Sequence, residues 1–230
     1  SFTVGYSRRL RRPRFWYLNP FESRSSQNVI YKGNPGLTPT FTNSFDLGYL
    51  QKIGKLTLNS SIYFQHSINS ILRVSRDEIR LLDGVNQVIT IREPINLASE
   101  DRFGFELTAN YNPSKKVRLS GSFNVFQQES KGLYAYNKFI IDEITGAINA
   151  TPETQDLGNT NNSWFTRFNA TFSLPWKIQM QNRLSYRGPR NTAQSESEGI
   201  FSANIALSKD VFKEKGSLVL NVSDVFNSRK

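Results

Sequence analysis

The chain has 230 residues, of which 37% are hydrophobic and 13% aromatic, and it carries a formal net charge of +10. It contains no cysteine and one histidine, His66, which excludes disulfides and thiolate sites and argues against a histidine-based metal site or catalytic triad. No run approaches the roughly 18 consecutive apolar residues of a transmembrane helix.

About nine segments alternate between apolar and polar residues with a period of two, which is the pattern of β-strands that have one apolar face. In chain order, their first and last apolar positions are Phe2 and Tyr6, Phe41 and Tyr49, Leu56 and Phe64, Phe103 and Tyr111, Val117 and Val125, Phe168 and Leu174, Ile178 and Tyr186, Phe201 and Leu207, and Leu220 and Val222. No long helix is predicted between them. The pattern therefore predicts an all-β fold.

The connections between these strands alternate in length. Short turns are predicted at residues 52–55, 112–115, 174–177 and 209–216, and long polar loops at residues 10–40, 76–94, 130–161 and 188–198. Successive antiparallel strands joined in this way have all short turns at one end and all long loops at the other. This rhythm is typical of bacterial outer-membrane proteins, and it predicts an antiparallel up-and-down transmembrane β-barrel.

Side-chain types separate this barrel from a soluble β-sandwich, which shows the same alternation. The polar positions carry Asn, Ser, Thr, Gln and Arg rather than the Lys and Glu mixture of soluble surfaces. Aromatic residues stand near strand ends, as interfacial girdles require; they are Tyr49, Tyr111, Trp164, Trp176 and Tyr186. Nine strands with a bare edge on each side cannot close in lipid, so an incomplete part of a larger barrel is expected.

Six segments, in this order along the chain, carry a resemblance to a known family. They read YSRRLRRP at 6–13 followed by LNPF at 18–21, GNPGLTP at 33–39 followed by SFDLGY at 44–49, FGFEL at 103–107, and NVSDVFN at 221–227. Together they resemble TonB-dependent outer-membrane receptors. By this resemblance, residues 1–230 are the C-terminal portion of an outer-membrane β-barrel of about 22 strands, with the plug domain and the final strand absent.

The resemblance also implies a function and partners. The intact protein is expected to bind a scarce extracellular nutrient, either a siderophore-type chelate, an oligosaccharide or a peptide, and to import it without covalent chemistry. Energy would come from an inner-membrane TonB-type complex through regions outside these residues. The other expected partners are outer-membrane lipid and lipopolysaccharide; no enzyme activity, cofactor or metal is expected. A passive porin or structural barrel, and a soluble extracellular glycan-binding β-sandwich, remain alternatives.

A basic run near the start of the chain is the first candidate site. Guanidinium groups bind phosphate or carboxylate oxygens in pairs, so the run is predicted to contact anionic lipid or an anionic ligand; its members are Arg8, Arg9, Arg11, Arg12 and Arg14. The alternative is solvated charge at the lumen rim or the lipid headgroups. Nucleic acid is not expected, because strands with a lipid-like apolar face offer no binding groove.

Aromatic residues in the long loops are the second candidate site. Their rings could stack on a sugar or another planar ligand, although packing within the loops is the alternative; they are Trp16, Tyr17, Tyr31, Tyr134 and Tyr136, in the loops at 10–40 and 130–161. His66, with Ser67 and Ser70 nearby, is a weak candidate for an outer-membrane hydrolase, because no third orienting group is recognisable.

Overall fold

A computed structural model describes residues 1–82, 84–141, 146–211 and 216–228, and it is built almost wholly of strands. The strands are β1 Phe2–Arg11, β2 Ser23–Ser26, β3 Val29–Tyr31, β4 Thr40–Ile53, β5 Leu56–Ile68, β6 Ile71–Leu82, β7 Val85–Asn96, β8 Ser99–Ser114, β9 Val117–Lys131, β10 Leu133–Ile141, β11 Ile148–Asp156, β12 Asn159–Leu174, β13 Ile178–Arg187, β14 Arg190–Thr192, β15 Ser195–Ser197, β16 Ile200–Val211 and β17 Gly216–Val222. One helical turn, α1, spans Phe15–Leu18, and a 3₁₀ turn spans Pro175–Lys177. In the described ranges, no helix is long and apolar enough to cross a membrane.

A nine-stranded antiparallel sheet forms the body of the molecule, in the order β1-β4-β5-β8-β9-β12-β13-β16-β17. Each strand pairs with the next one in this up-and-down series, so the nine strands and the all-β class predicted from the alternation are confirmed. Within the described residues, β1 and β17 are not paired with each other, so the sheet does not close into a barrel. The figure of about 22 strands stays a prediction.

One face of this sheet is apolar and exposed. Residues directly opposite one another in an antiparallel sheet point to the same side, and in the middle of the sheet they form the apolar row Val4, Leu47, Ile62, Phe105 and Val125. Ile62 is 46% exposed, and Val4 is 83% exposed. A soluble sandwich would pack this face into a core, and here no second sheet of the described residues covers it.

The opposite face of the sheet is polar. One of its rows, in the half of the sheet toward the long connections, consists of Ser7, Ser44, Gln65, Arg102, Gln128 and Asn161. Below this row, Tyr63 is buried with its ring over Gly104, and a Cβ at residue 104 would lie 2.5 Å from the ring. The Tyr63 hydroxyl donates a hydrogen bond to Asn124 Oδ1 at 3.2 Å. A polar inner face opposite an exposed apolar face is the side-chain distribution of an outer-membrane barrel wall.

The long connections differ from the prediction of polar loops, because they fold into strands. β6–β7, β10–β11 and β14–β15 are antiparallel hairpins, and β2 pairs with β3. β3 also pairs in parallel with β7, placing Ile30 opposite Ile91. We call this set the hairpin layer, its end of the sheet the hairpin end, and the opposite end the turn end. The predicted turn at 209–216 lies at the turn end, and its residues 212–215 fall outside the described ranges.

The hairpin layer contains the buried hydrophobic cores. One cluster consists of Val74, Leu97, Tyr134 and Leu157, and the other of Ile30, Ile89 and Ile91. The side chains of Ile91 and Leu157 are 0% and 1% exposed. The hydrophobic effect therefore stabilises the hairpin layer, whereas the apolar face of the nine-stranded sheet is not covered by protein in the described part of the chain.

Candidate functional site

Three of the predicted ligand-binding aromatics lie together in one cleft of the hairpin layer. Trp16 and Tyr17 come from α1 and Tyr31 from β3, and they share a cavity of about 330 Å³ with Arg73 of β6 and Arg92 of β7. We call these five residues the aromatic cleft. Sequence reasoning did not identify Arg73 and Arg92, because no local pattern indicates that β6 and β7 pack beside α1.

Backbone hydrogen bonds fix the position of α1 beside β3. The N–H of Gly33 donates to the carbonyl of Asn19 at 2.9 Å, and the N–H of Asn34 donates to the carbonyl of Tyr17 at 2.7 Å. A Cβ at residue 33 would lie 2.3 Å from the Asn19 oxygen, so only glycine permits this close approach. The GNPGLTP segment thus holds the walls of the aromatic cleft together.

The aromatic cleft combines ring faces with guanidinium groups. Arg92 lies 5.7 Å from the centre of the Tyr31 ring, and its Nη1 donates to the Tyr31 hydroxyl at 3.0 Å. This hydrogen bond and the charge of Arg92 lower the pKa of the Tyr31 hydroxyl. Arg14 lies 5.3 Å from the Trp16 ring centre. Rings beside fixed cations can stack on a sugar or planar ligand and pair with its negative groups.

Tyr134 and Tyr136 lie elsewhere, on β10, with their rings stacked at 5.1 Å between centres. Tyr134 is 6% exposed within a hydrophobic core, and its hydroxyl donates to Glu93. Burial raises the pKa of this hydroxyl, and the hydrogen bond to Glu93 acts in the same direction. The structure therefore gives Tyr134 a packing role, and neither tyrosine contributes to the aromatic cleft. Residues 142–145 of the predicted 130–161 loop lie outside the described residues.

An ion-pair network links the strands of the hairpin layer. Glu22 binds Arg80 through two contacts of 2.7 and 2.8 Å, and Arg80 Nε donates to Glu78 at 2.7 Å. Arg76 then bridges Glu78 at 2.9 Å and Glu93 at 3.4 Å. Burial alone would raise the pKa of Glu78, but hydrogen bonds from the two arginines outweigh it and lower the pKa. We call these five residues the ion-pair network.

The predicted arginine run does not form one cluster, because alternate residues of β1 point to opposite faces. Arg8 lies on the apolar side, 5.5 Å from the centre of the Phe41 ring. Arg9 and Arg11 lie on the polar face and line a cavity of about 350 Å³ below the hairpin layer. Arg12, beyond the end of β1, is exposed, and Arg14 lies beside the aromatic cleft.

A second cavity, of about 320 Å³, adjoins this one below the hairpin layer. Arg11, Glu100 and Arg102 line both cavities, and Arg190 of β14 lines the second. We call the second cavity the arginine cavity. Sequence reasoning did not identify Arg102 and Arg190. The only sequence feature that could have indicated Arg102 was its position on the polar face of a predicted strand.

Two residues of the weak hydrolase candidate, His66 and Ser67, point to opposite faces of β5. His66 Nδ1 lies 2.6 Å from Asp101 Oδ1, whereas Ser67 points to the opposite face and its hydroxyl lies 2.8 Å from that of Thr42. Among the residues that the structure describes, no group of three or more His, Cys, Asp or Glu side chains could hold a metal ion.

Comparison with known proteins gives one finding about the whole chain. The model of a family described as the outer membrane protein beta-barrel family matches residues 1–230. None of the curated proteins that were compared with the chain matches it. The exposed apolar face, the polar face and the hairpin layer at one end agree with this match.

Proposed function

Since the chain belongs to the outer membrane protein beta-barrel family and lies in the bacterial outer membrane, we propose that it forms part of a transporter for a scarce extracellular nutrient. The ligand would be a siderophore-type chelate, an oligosaccharide or a peptide. The proposed activity is transport across the membrane and includes no covalent chemistry.

The observation that carries this proposal is the aromatic cleft at the hairpin end. In outer-membrane barrels the short turns face the periplasm and the longer connections face the outside, so the aromatic cleft is on the extracellular side. Its ring faces and its two guanidinium groups, Arg73 and Arg92, suit capture of a dilute ligand.

The polar face provides the second support. The arginine cavity lies directly below the hairpin layer, on the face that lines the interior of a barrel of this family. A ligand released from the aromatic cleft would therefore meet polar and charged side chains rather than lipid. The resemblance to TonB-dependent receptors adds an energy source, an inner-membrane TonB-type complex that acts through regions outside this chain.

An uptake experiment tests this proposal. Cells that carry the gene and cells that lack it are compared for uptake of labelled chelates, oligosaccharides and peptides, with and without an uncoupler of the proton-motive force. We expect uptake of one of these classes to need both the gene and the proton-motive force. Uptake that needs the gene but survives the uncoupler would instead identify a passive porin, and no gene-dependent uptake would indicate a structural barrel.

A pair of tryptophan variants tests the role of the aromatic cleft. Trp16→Ala removes a ring that is 59% exposed in the cleft, whereas Trp176→Ala removes a ring that is 81% exposed at the turn end. We expect Trp16→Ala to weaken binding of the transported ligand about tenfold, since a stacked ring contributes on the order of 1–3 kcal/mol. Trp176→Ala should leave binding unchanged. Equal effects of the two variants would remove the aromatic cleft from the proposal.

A further inference from the structure

The arginine cavity carries more positive than negative charge from the described residues. Three guanidinium groups, those of Arg11, Arg102 and Arg190, and one carboxylate, that of Glu100, line it. Among the described residues, none of these four side chains takes part in an ion pair. Arg9 lies in the adjoining cavity, likewise without an acidic partner in the described ranges. The cavity therefore has an excess of positive charge.

Arg102 lines the cavity with only part of its hydrogen-bonding capacity used. Its guanidinium lies 4.5 Å from the centre of the Phe126 ring and donates through Nη2 to Gln128. Its Nε is buried and has no hydrogen-bond partner among the described residues. A buried donor without an acceptor is costly, so the described residues leave this guanidinium only partly hydrogen-bonded.

Two of the neutral side chains that line the cavity hold its roof in place. Asn161 Oδ1 accepts the N–H of Asn191 at 3.0 Å, and Asn159 Nδ2 donates to the carbonyl of Asn191 at 2.8 Å. These two amides hold the β14–β15 hairpin as the roof of the cavity. The charged groups that line the cavity are three guanidinium groups and one carboxylate, and their net positive charge favours an anion over a neutral sugar.

We propose that the arginine cavity binds an oxyanion, a carboxylate or phosphate group of a small extracellular ligand, between Arg11, Arg102 and Arg190. The planar fork of a guanidinium binds two oxygens of such a group at once. The inference rests on the proposed function, since it names the chemical class that the import path admits. Its binding step, however, can be measured without transport.

Binding is tested on the protein purified in detergent, by titration calorimetry with citrate as the carboxylate probe and inorganic phosphate as the phosphate probe. We expect Arg102→Gln to weaken binding of the preferred probe by about tenfold to a hundredfold, because hydrogen bonds to charged groups are strong. The matched control is Arg118→Gln, which removes the same charge from the same face of the sheet. Arg118 lies on β9 about ten residues, or roughly 33 Å, from Gln128, the residue opposite Arg102. That control should bind as the unsubstituted protein does.

A variant with the opposite effect guards against misfolding as an explanation. Glu100→Gln removes the carboxylate of the cavity, so we expect it to bind the probe several-fold more tightly. Binding of citrate alone identifies a carboxylate site, and binding of phosphate alone identifies a phosphate site. If neither probe binds, or if Arg102→Gln behaves as Arg118→Gln does, the oxyanion site is overturned.

The two proposals fail in different ways. Loss of gene-dependent, energised uptake in cells, with anion binding to the purified protein intact, would overturn the proposed transport and support the oxyanion site. Energised uptake that persists while the purified protein binds neither probe would support transport and overturn the oxyanion site.

Discussion

The nine-stranded sheet and the hairpin layer use apolar residues in opposite ways. In the sheet, side chains such as Ile62 point outward and stay exposed, whereas in the hairpin layer Ile91 and Leu157 are enclosed by protein. The sheet faces lipid, where exposure of an apolar side chain costs nothing and an unpaired backbone group is expensive. The hairpin layer faces water, so it needs cores of its own.

This contrast shows that one chain follows two sets of stability rules, separated at the hairpin end. Hydrogen bonds between long strands hold the sheet, and each strand needs its neighbours. Buried clusters and the ion-pair network hold the hairpins. Substitutions of the same chemical kind should therefore have different consequences in the two regions, and three experiments measure the difference.

The largest effect is expected from shortening a buried isoleucine of the hairpin layer. Ile91→Ala leaves a cavity between β3 and β7 and should cost about 2–5 kcal/mol of local stability. Hydrogen exchange at the amides of β3 and β7 should become correspondingly faster. Ile62→Ala is the matched control, because its side chain faces lipid and its removal should leave exchange in the hairpins unchanged. Equal acceleration by both variants would contradict the division into two regions.

A charged substitution should have its large effect in the sheet and on one face alone. Ile62 lies midway along β5 on the apolar face, so Ile62→Arg should lower the free energy of unfolding in lipid vesicles by about 2–4 kcal/mol. Ser61→Arg, one residue away, points to the polar face and should cost much less. The measurement is denaturant unfolding of protein refolded into vesicles. A larger loss for Ser61→Arg would reverse the assignment of the two faces.

The smallest effect concerns the pH dependence of the hairpin layer. The hydrogen bond from Arg80 lowers the pKa of Glu22. The pKa of Glu78 is also lowered from the ordinary value of 4.5. Carboxyls with lowered pKa values stabilise the folded state above their unfolded pKa, and this contribution is lost as the pH falls through their folded values. Protection of β6 and β7 from hydrogen exchange, corrected for intrinsic rates, should be constant from neutral pH to about 5 and should fall below about 4.5.

Arg80→Gln provides the control for this pH effect. It removes the partner shared by Glu22 and Glu78, and because these groups are partly exposed the change should be about 1 kcal/mol or less. The variant should show a weaker decrease in protection on acidification. A decrease as steep as that of the unsubstituted protein would show that other carboxyls control the acid response.

The nine long strands could be predicted from the sequence, because the alternation of apolar and polar residues is visible within each strand. Lipid on one side and a polar interior on the other impose alternation along every strand, so residues such as Phe103 and Tyr111 marked β8 correctly. The hairpins were missed because their burial depends on other connections. Ile30 and Ile91 pair in parallel across about sixty residues of chain, and no local pattern indicates such a pairing.

The candidate site was predictable to a similar extent. Ring type and loop position indicated Trp16, Tyr17 and Tyr31, which the structure brings into one cleft. The same reasoning selected Tyr134, which fills a core, because sequence does not distinguish a loop ring that packs inward from one that faces a ligand. The arginines of the two cavities were scattered through the chain, and only the sheet register brings Arg11 and Arg102 together.

The contact of Tyr63 with Gly104 has a consequence for how the wall is assembled. Sliding β8 along β5 by one residue would exchange its two faces, and sliding it by two residues would put Arg102 or Glu106 beneath the tyrosine ring. A Cβ at residue 104 would already lie 2.5 Å from that ring. A longer side chain opposite Tyr63 would therefore clash with the ring in its present position. The contact between Tyr63 and Gly104 thus favours one register of β5 and β8 while the strands of the newly secreted polypeptide pair.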